Sequence, residues 1–342
     1  MSTTQSAHRE PTHMLHIRIP DEARDAIAEA LSVLGNPELD PDRALTLAHK
    51  AFATLDIDRL QDILDFGRHA DTPGVALVEN LPQDDKLPPT PNNGGPCEGK
   101  PTFVAEGVLL GLSSLLGEPT SFVTEKNGRL IHDIVPTESG ATTQTSEGSD
   151  VFLNFHNDIV HDESGRYDLS NPDFLVLNCL RKDREGNALT SYADARDIVH
   201  ALSDEVVDIL RSASFQLNAP GGYTRAYADG KEVLSVPVPL LGGPEESPEI
   251  YVAANGVKRL TPEADHAFSE LQRVCREPEV GQVVALTPGS ALLVNNRKGV
   301  HSRSRFDAHF DGADRWLQRT YTRRSLWAIR SQLVPGSRRT HR

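Results

Sequence analysis

Apolar residues recur at helical spacing in the first 70 residues and at strand spacing through most of the remaining chain. In residues 21–34, Ala26, Ile27, Ala30, Leu31 and Leu34 share one face, and Gly35 ends the run. A second helix is predicted over 41–54, where Pro41 suits a first turn, and a third over 57–67 with Leu60, Ile63 and Leu64 together. Residues 74–81 form a short apolar run between Pro73 and Pro82, which reads as a strand. Residues 84–101 are too rich in Pro, Gly, Asn and charge to pack, and 103–116 return to helical spacing before Gly117.

From residue 121 onward short strand signals dominate, at 121–124, 130–135, 151–154, 174–180, 188–192, 282–287, 291–295 and 319–326. Helical insertions at 194–213 and 261–275 are too few to make alternating strand-helix units. An antiparallel arrangement joins such pieces economically, so the expected fold is mainly β with flanking helices, a double-stranded β-helix or jelly roll. The pattern predicts a flexible N-terminus over 1–20 and one domain over 21–330. Within it lie a helical part (21–70), a jelly-roll core (71–330) and a polar, Gly-rich insertion near 216–232 that could act as a lid; a basic tail follows at 331–342.

Charge narrows the partners. With 35 Lys and Arg against 49 Asp and Glu, the net charge is -14, which repels phosphate backbones and argues against nucleic acid. No apolar run spans a bilayer and the N-terminus lacks the apolar stretch of a signal peptide, so no membrane partner and a cytoplasmic location are expected. Cys97, Cys179 and Cys275 stand far apart, with neither a disulfide framework nor a zinc knuckle indicated. The partner expected is a small molecule, bound by a monomer or homodimer.

The chemistry concentrates in residues 151–161 (VFLNFHNDIVH), where an apolar strand delivers His156 and, two residues on, Asp158. Strand alternation puts both on one face. With a second His they make the two-His, one-carboxylate triad of mononuclear iron, which keeps positions open for oxygen. The stretch 287–301 (TPGSALLVNNRKGVH) leads a strand to His301, and Arg315 beyond it can meet a carboxylate with a two-pronged hydrogen bond. A His-x-Asp tripeptide alone arises readily by chance, and either Arg315 or Arg319 could instead pair with Asp311 or Asp314. A zinc hydrolase is disfavoured, because His156 and His161 lack the spacing of a zincin helix.

Taken together, the segments GVALVENLP at 74–82, the strand into His156, LNCLRKD at 177–183, PGSALLVNNRKGVH and DRWLQRTY at 314–321 resemble the clavaminate synthase-like branch of the TauD/TfdA oxygenases, over roughly residues 70–330. The resemblance implies Fe(II) as cofactor, with 2-oxoglutarate and O2 as co-substrates. It implies His156, Asp158 and His301 as iron ligands, and Arg315 with Thr190 on the 2-oxoglutarate carboxylate. It further implies Arg319 for a substrate carboxylate, Glu125 for the substrate amino group and Ser146 near the same pocket, while Asn255 is the polar candidate for reading a neutral substrate group.

The activity so implied is hydroxylation of an unactivated C–H bond in a small amino acid or derived metabolite of natural-product (antibiotic) biosynthesis. Many amino-acid hydroxylases of this branch carry Glu where this chain has Asp158. The arginine hydroxylases place two aspartates where residues 250–255 (IYVAAN) have no acid, so arginine is an unexpected substrate. Tyr223 and Tyr227 are expected to enter the pocket from the insertion. A cyclic dipeptide or other carboxylate-free substrate is the alternative within the same chemistry; a non-catalytic jelly-roll binding module is the alternative outside it.

Overall fold

The computed structural model describes residues 12–166 and 171–341. Its larger sheet runs β1 (Leu15–Arg18), β2 (Val75–Glu79), β13 (Ser290–Asn295), β6 (Phe174–Arg181), β15 (Trp316–Arg323), β3 (Glu118–Phe122) and β16 (Arg339–Thr340), with β4 (His132–Ile134) also paired to β15. The smaller sheet runs β12 (Gly281–Val284), β7 (Thr190–Asp194), β14 (Gly299–Arg303) and β5 (Leu153–His156). Two short pairs, β8 (Phe215–Leu217) with β11 (Val257–Arg259) and β9 (Leu241–Gly242) with β10 (Glu249–Ile250), stand apart. Pairing is antiparallel except at β1–β2 and β16–β3.

Alternation along the strands sends apolar side chains to three layers. Ile17, Ala76, Val78, Val176 and Leu293 meet α1 (Asp21–Leu31), α2 (Pro41–Phe52), α3 (Ile57–Arg68) and α4 (Val104–Leu116) on the outer face of the larger sheet. Phe155, Ala193 and Val300 meet the helices Ala195–Ala201, Asp204–Leu210 and Pro262–Val274 on the outer face of the smaller. Between the sheets, Leu177, Leu292 and Leu317 pack with Tyr192 and Val284. Each large buried side chain contributes about 1.5–3 kcal/mol. The candidate site therefore sits on the inward faces, fixed by hydrophobic layers on both sides.

Four expectations need correction. Residues 15–18 are not loose: the alternation of Leu15, Ile17 and Ile19 with His16 and Arg18 buries Ile17 and Ile19 and pairs β1 with β2, although residues 1–11 lie outside the described residues. Residues 194–213 make two helices, because the Ser203 hydroxyl accepts a hydrogen bond from Val206 N and starts a new one after Leu202. Residues 84–101 do pack: buried Asp84 accepts from the backbone of Val104 (3.0 Å) and Ala105 (3.2 Å) at the start of α4 and pairs with buried Lys100 at 2.6 Å. The 331–342 segment is also more than a tail, since 339–340 join the sheet and Arg338 pairs with Asp42 and Glu118.

Candidate active site

His156 and His301 face one another across the β5–β14 ladder, so their side chains emerge side by side with ring centroids 4.3 Å apart. Phe155 and Val300, one residue earlier on each strand, point the other way into the helix-side core. Asp158 follows where β5 ends, with its Oδ1 3.6 Å from His156 Nε2. One donor atom from each of these buried residues lies within 4.8 Å of the other two. His156 Nδ1 is 2.7 Å from the Asn154 carbonyl, which can only accept, so Nδ1 carries a proton and, in the neutral tautomer this fixes, Nε2 is the nitrogen with the lone pair.

Two buried asparagines hold Asp158 in place. Asn157 donates to the carbonyls of Asn296 (2.7 Å) and Gly299 (2.8 Å) and accepts from Val252 N at 2.8 Å. Asn296 accepts from Asp158 N at 3.0 Å and donates to the Asp158 carbonyl at 2.8 Å. The next residue, Ile159, has φ 50°, a left-handed conformation costly for a branched side chain, which these bonds overrule. Neither Asn featured in the sequence reading; the signal available was the Asn pair at the end of an apolar strand in VNNRK.

The electrostatics favour a carboxylate at Asp158 beside a neutral His301. Burial would raise the Asp158 carboxyl, but Arg319, aided by His156 and His301, outweighs it and holds it well below the usual carboxylate range. Burial, with His156 next to it, pushes His301 down to about 3. Its Nδ1 is buried without a hydrogen-bond partner. Arg319 donates to Asp158 Oδ2 at 2.6 Å, lies 4.7 Å over the Tyr321 ring and stands 3.5 Å from Nδ1 of buried His132, a neighbour that the sequence reading missed. The ion pairs considered for Arg319 with Asp311 or Asp314 do not form; Asp311 pairs with Arg184.

A cavity of about 430 Å³ opens on this cluster, and His156, Asp158, His301, Arg315, Thr190, Arg319, Glu125, Ser146 and Asn255 all line it. Arg315 is buried yet has no carboxylate partner among the described residues, and burial pulls it below its ordinary value. Thr190 opens β7, buried. Burial pushes the Glu125 carboxyl up, and its Oε1 lacks a partner. Arg303, unforeseen, also lines the cavity; burial, then Arg315, push it down to about 10.

The insertion contributes differently than expected. Asn218, Pro220, Gly221, Gly222 and Arg225 line the cavity, whereas Tyr223 donates to Glu163 at 2.5 Å and Tyr227 to the His341 carbonyl at 2.8 Å. The helix Gly221–Tyr227 approaches so closely that a methyl at Gly222 would overlap the Thr124 carbonyl and lie 2.8 Å from Glu125 Oε1. Glycine lets this helix pack closely against Thr124 and Glu125 at the cavity wall, and the two tyrosines bond to Glu163 and the His341 carbonyl.

Two imidazoles and one carboxylate, buried, convergent and without a thiolate, fit a mononuclear ferrous ion. An unpaired buried Arg315 in the same cavity fits an anionic co-substrate. A model of the taurine catabolism dioxygenase TauD, TfdA family matches residues 109–321. The chain is 35% identical over 262 residues to the L-asparagine oxygenase of Streptomyces coelicolor, covering 76% of this chain and 74% of that one. To clavaminate synthase 2 of Streptomyces clavuligerus it is 28% identical over 254 residues, 73% of this chain and 74% of that one. The solved structure of asparagine oxygenase with Fe(II), 2S,3S-3-hydroxyasparagine and succinate superposes with a TM-score of 0.83 at 30% identity, over 95% of this chain and 98% of that chain.

Proposed function

Because the chain belongs to the TauD/TfdA family and is an Fe(II)- and 2-oxoglutarate-dependent oxygenase, we propose that it hydroxylates a free amino acid with a small neutral or amide side chain. The observation that carries this reading is the convergence of His156, Asp158 and His301 within 4.8 Å on a cavity that also holds unpaired, buried Arg315. In it, the three residues hold iron and Arg315 with Thr190 grips the far carboxylate of 2-oxoglutarate. The two stacked sheets are then the double-stranded β-helix of this chemistry.

With iron and 2-oxoglutarate bound, O2 would supply the oxidising power and the oxygen atom that turn a C–H bond into C–OH, while 2-oxoglutarate would supply the two balancing electrons as it is converted to succinate and CO2. The residues of the chain do the rest. Asn157 and Asn296 keep the Asp158 backbone fixed, and the Asn154 carbonyl accepts from His156 Nδ1 and so orients the ring with Nε2 toward the cluster. Arg319 commits one nitrogen to Asp158 and has its Nε buried without a partner, which suits it to orient a substrate carboxylate beside the metal. Glu125 Oε1 is an acceptor waiting for a donor, as an α-ammonium would be. Ser146 and Asn255 remain for the side chain, and the segment 216–232 closes over it as a lid that excludes water.

The test is succinate release, followed by mass spectrometry, from the iron-loaded enzyme offered 2-oxoglutarate with a panel of free amino acids and cyclic dipeptides. Stimulation by an amide amino acid, lost in Arg319→Met, is expected. Stimulation by cyclic dipeptides that survives Arg319→Met would replace the free amino acid with a carboxylate-free substrate.

A further inference from the structure

Arg303 lies two residues beyond His301 on β14, so both side chains project from the same face. Directly opposite Arg303 on β7 stands Thr190, on that same face. Phe306 lies under two of the cavity's guanidiniums, with its ring centre 5.1 Å from Arg303 and 5.9 Å from Arg315. Arg303 is 5% exposed; its Nη1 donates to the carbonyls of Ser304 (2.9 Å) and Ser149 (3.5 Å), and its Nη2 is buried with no partner. Neither arginine pairs with a carboxylate among the described residues, although the molecule carries an excess of acids.

Two neighbouring cations stripped of water and counter-ion are costly unless an anion joins them. We propose that Arg303 is a second guanidinium for the far carboxylate of 2-oxoglutarate, holding it jointly with Arg315 against the Phe306 ring. Arg303 is thereby a binding residue that selects a co-substrate with a second carboxylate, and the Ser149 and Ser304 carbonyls hold its fork in position. This rests on the reading of 2-oxoglutarate as co-substrate and of Arg315 as its anchor.

Isothermal titration calorimetry of the iron-loaded protein without oxygen tests it, comparing 2-oxoglutarate with 2-oxopentanoate, which has the same chain length and no second carboxylate. Arg303→Met should weaken 2-oxoglutarate by roughly 10- to 100-fold and change 2-oxopentanoate by less than about threefold, the loss expected for charge-assisted bonds. Arg303→Lys, which keeps the charge and loses the fork, should fall between parent and Met, and carries the same comparison should the Met variant misfold. Unchanged 2-oxoglutarate affinity in these variants, or equal losses for both acids, would overturn the proposal and leave Arg303 as a loop support. Arg315→Met keeps the two readings apart: full 2-oxoglutarate affinity there would sink the Arg315 anchor whatever Arg303 does.

Discussion

Asp158 serves two partners, a metal on one oxygen in the proposed reading and Arg319 on the other. Replacing it with Glu should keep iron affinity within about tenfold, because the carboxylate survives on a longer arm. Asp158→Ala should abolish iron binding by calorimetry and also lower the urea unfolding free energy by about 3–5 kcal/mol, since it strands a buried guanidinium. Asn296 makes a cleaner case for positioning: Asn296→Ala removes both bonds to the Asp158 backbone and should weaken iron by about 10- to 100-fold. Iron affinity equal to the parent would show that Ile159 and its neighbours hold the turn without help.

The helix Gly221–Tyr227 meets the cavity through glycine, so Gly222→Ala should displace it from Glu125 and Thr124. The amino-acid KM should then rise several-fold while 2-oxoglutarate affinity, which in the proposed reading rests on Arg315 and Thr190, stays put; a KM equal to the parent would show that the helix takes no part in the pocket. That residues of this insertion line the cavity was readable in part, since its length and glycines marked it as a segment apart from the strands. Which side chains turned inward was not, because Tyr223 and Tyr227 find Glu163 and the His341 carbonyl, partners far along the chain. The same division recurs elsewhere. His156 and Asp158 stood out because alternation on one short strand is local, whereas Asn157, Asn296 and Arg303 acquire meaning only from strands brought alongside. The break after Leu202, which the helical pattern over 194–213 conceals, has its local signal in Ser203 followed by Asp204 and Glu205, a helix start inside a helical pattern.

Stability of the whole molecule should depend on pH through its buried imidazoles. Burial, then Arg319, push His132 down to about 3 from an ordinary 6.5. The unfolded chain takes up a proton near pH 6.5 that the folded one refuses until about 3, so this contribution is whole above 6.5 and is lost as pH falls toward 3. At about 1.4 kcal/mol per pH unit, His132 alone accounts for at most about 2 kcal/mol between pH 6.5 and 5. His132→Gln, which can still donate to the Arg129 carbonyl, should flatten the urea midpoint against pH by that amount; an unchanged slope would put the dependence on other groups. Finally, the two imidazoles sit on neighbouring strands from distant parts of the chain. Sliding β14 by one residue would turn His301 into the helix-side core and offer iron the isopropyl group of Val300 instead. In the proposed reading, ferrous ion would thus reward one alignment of these strands, and metal uptake during refolding would act as a proofreader of sheet assembly.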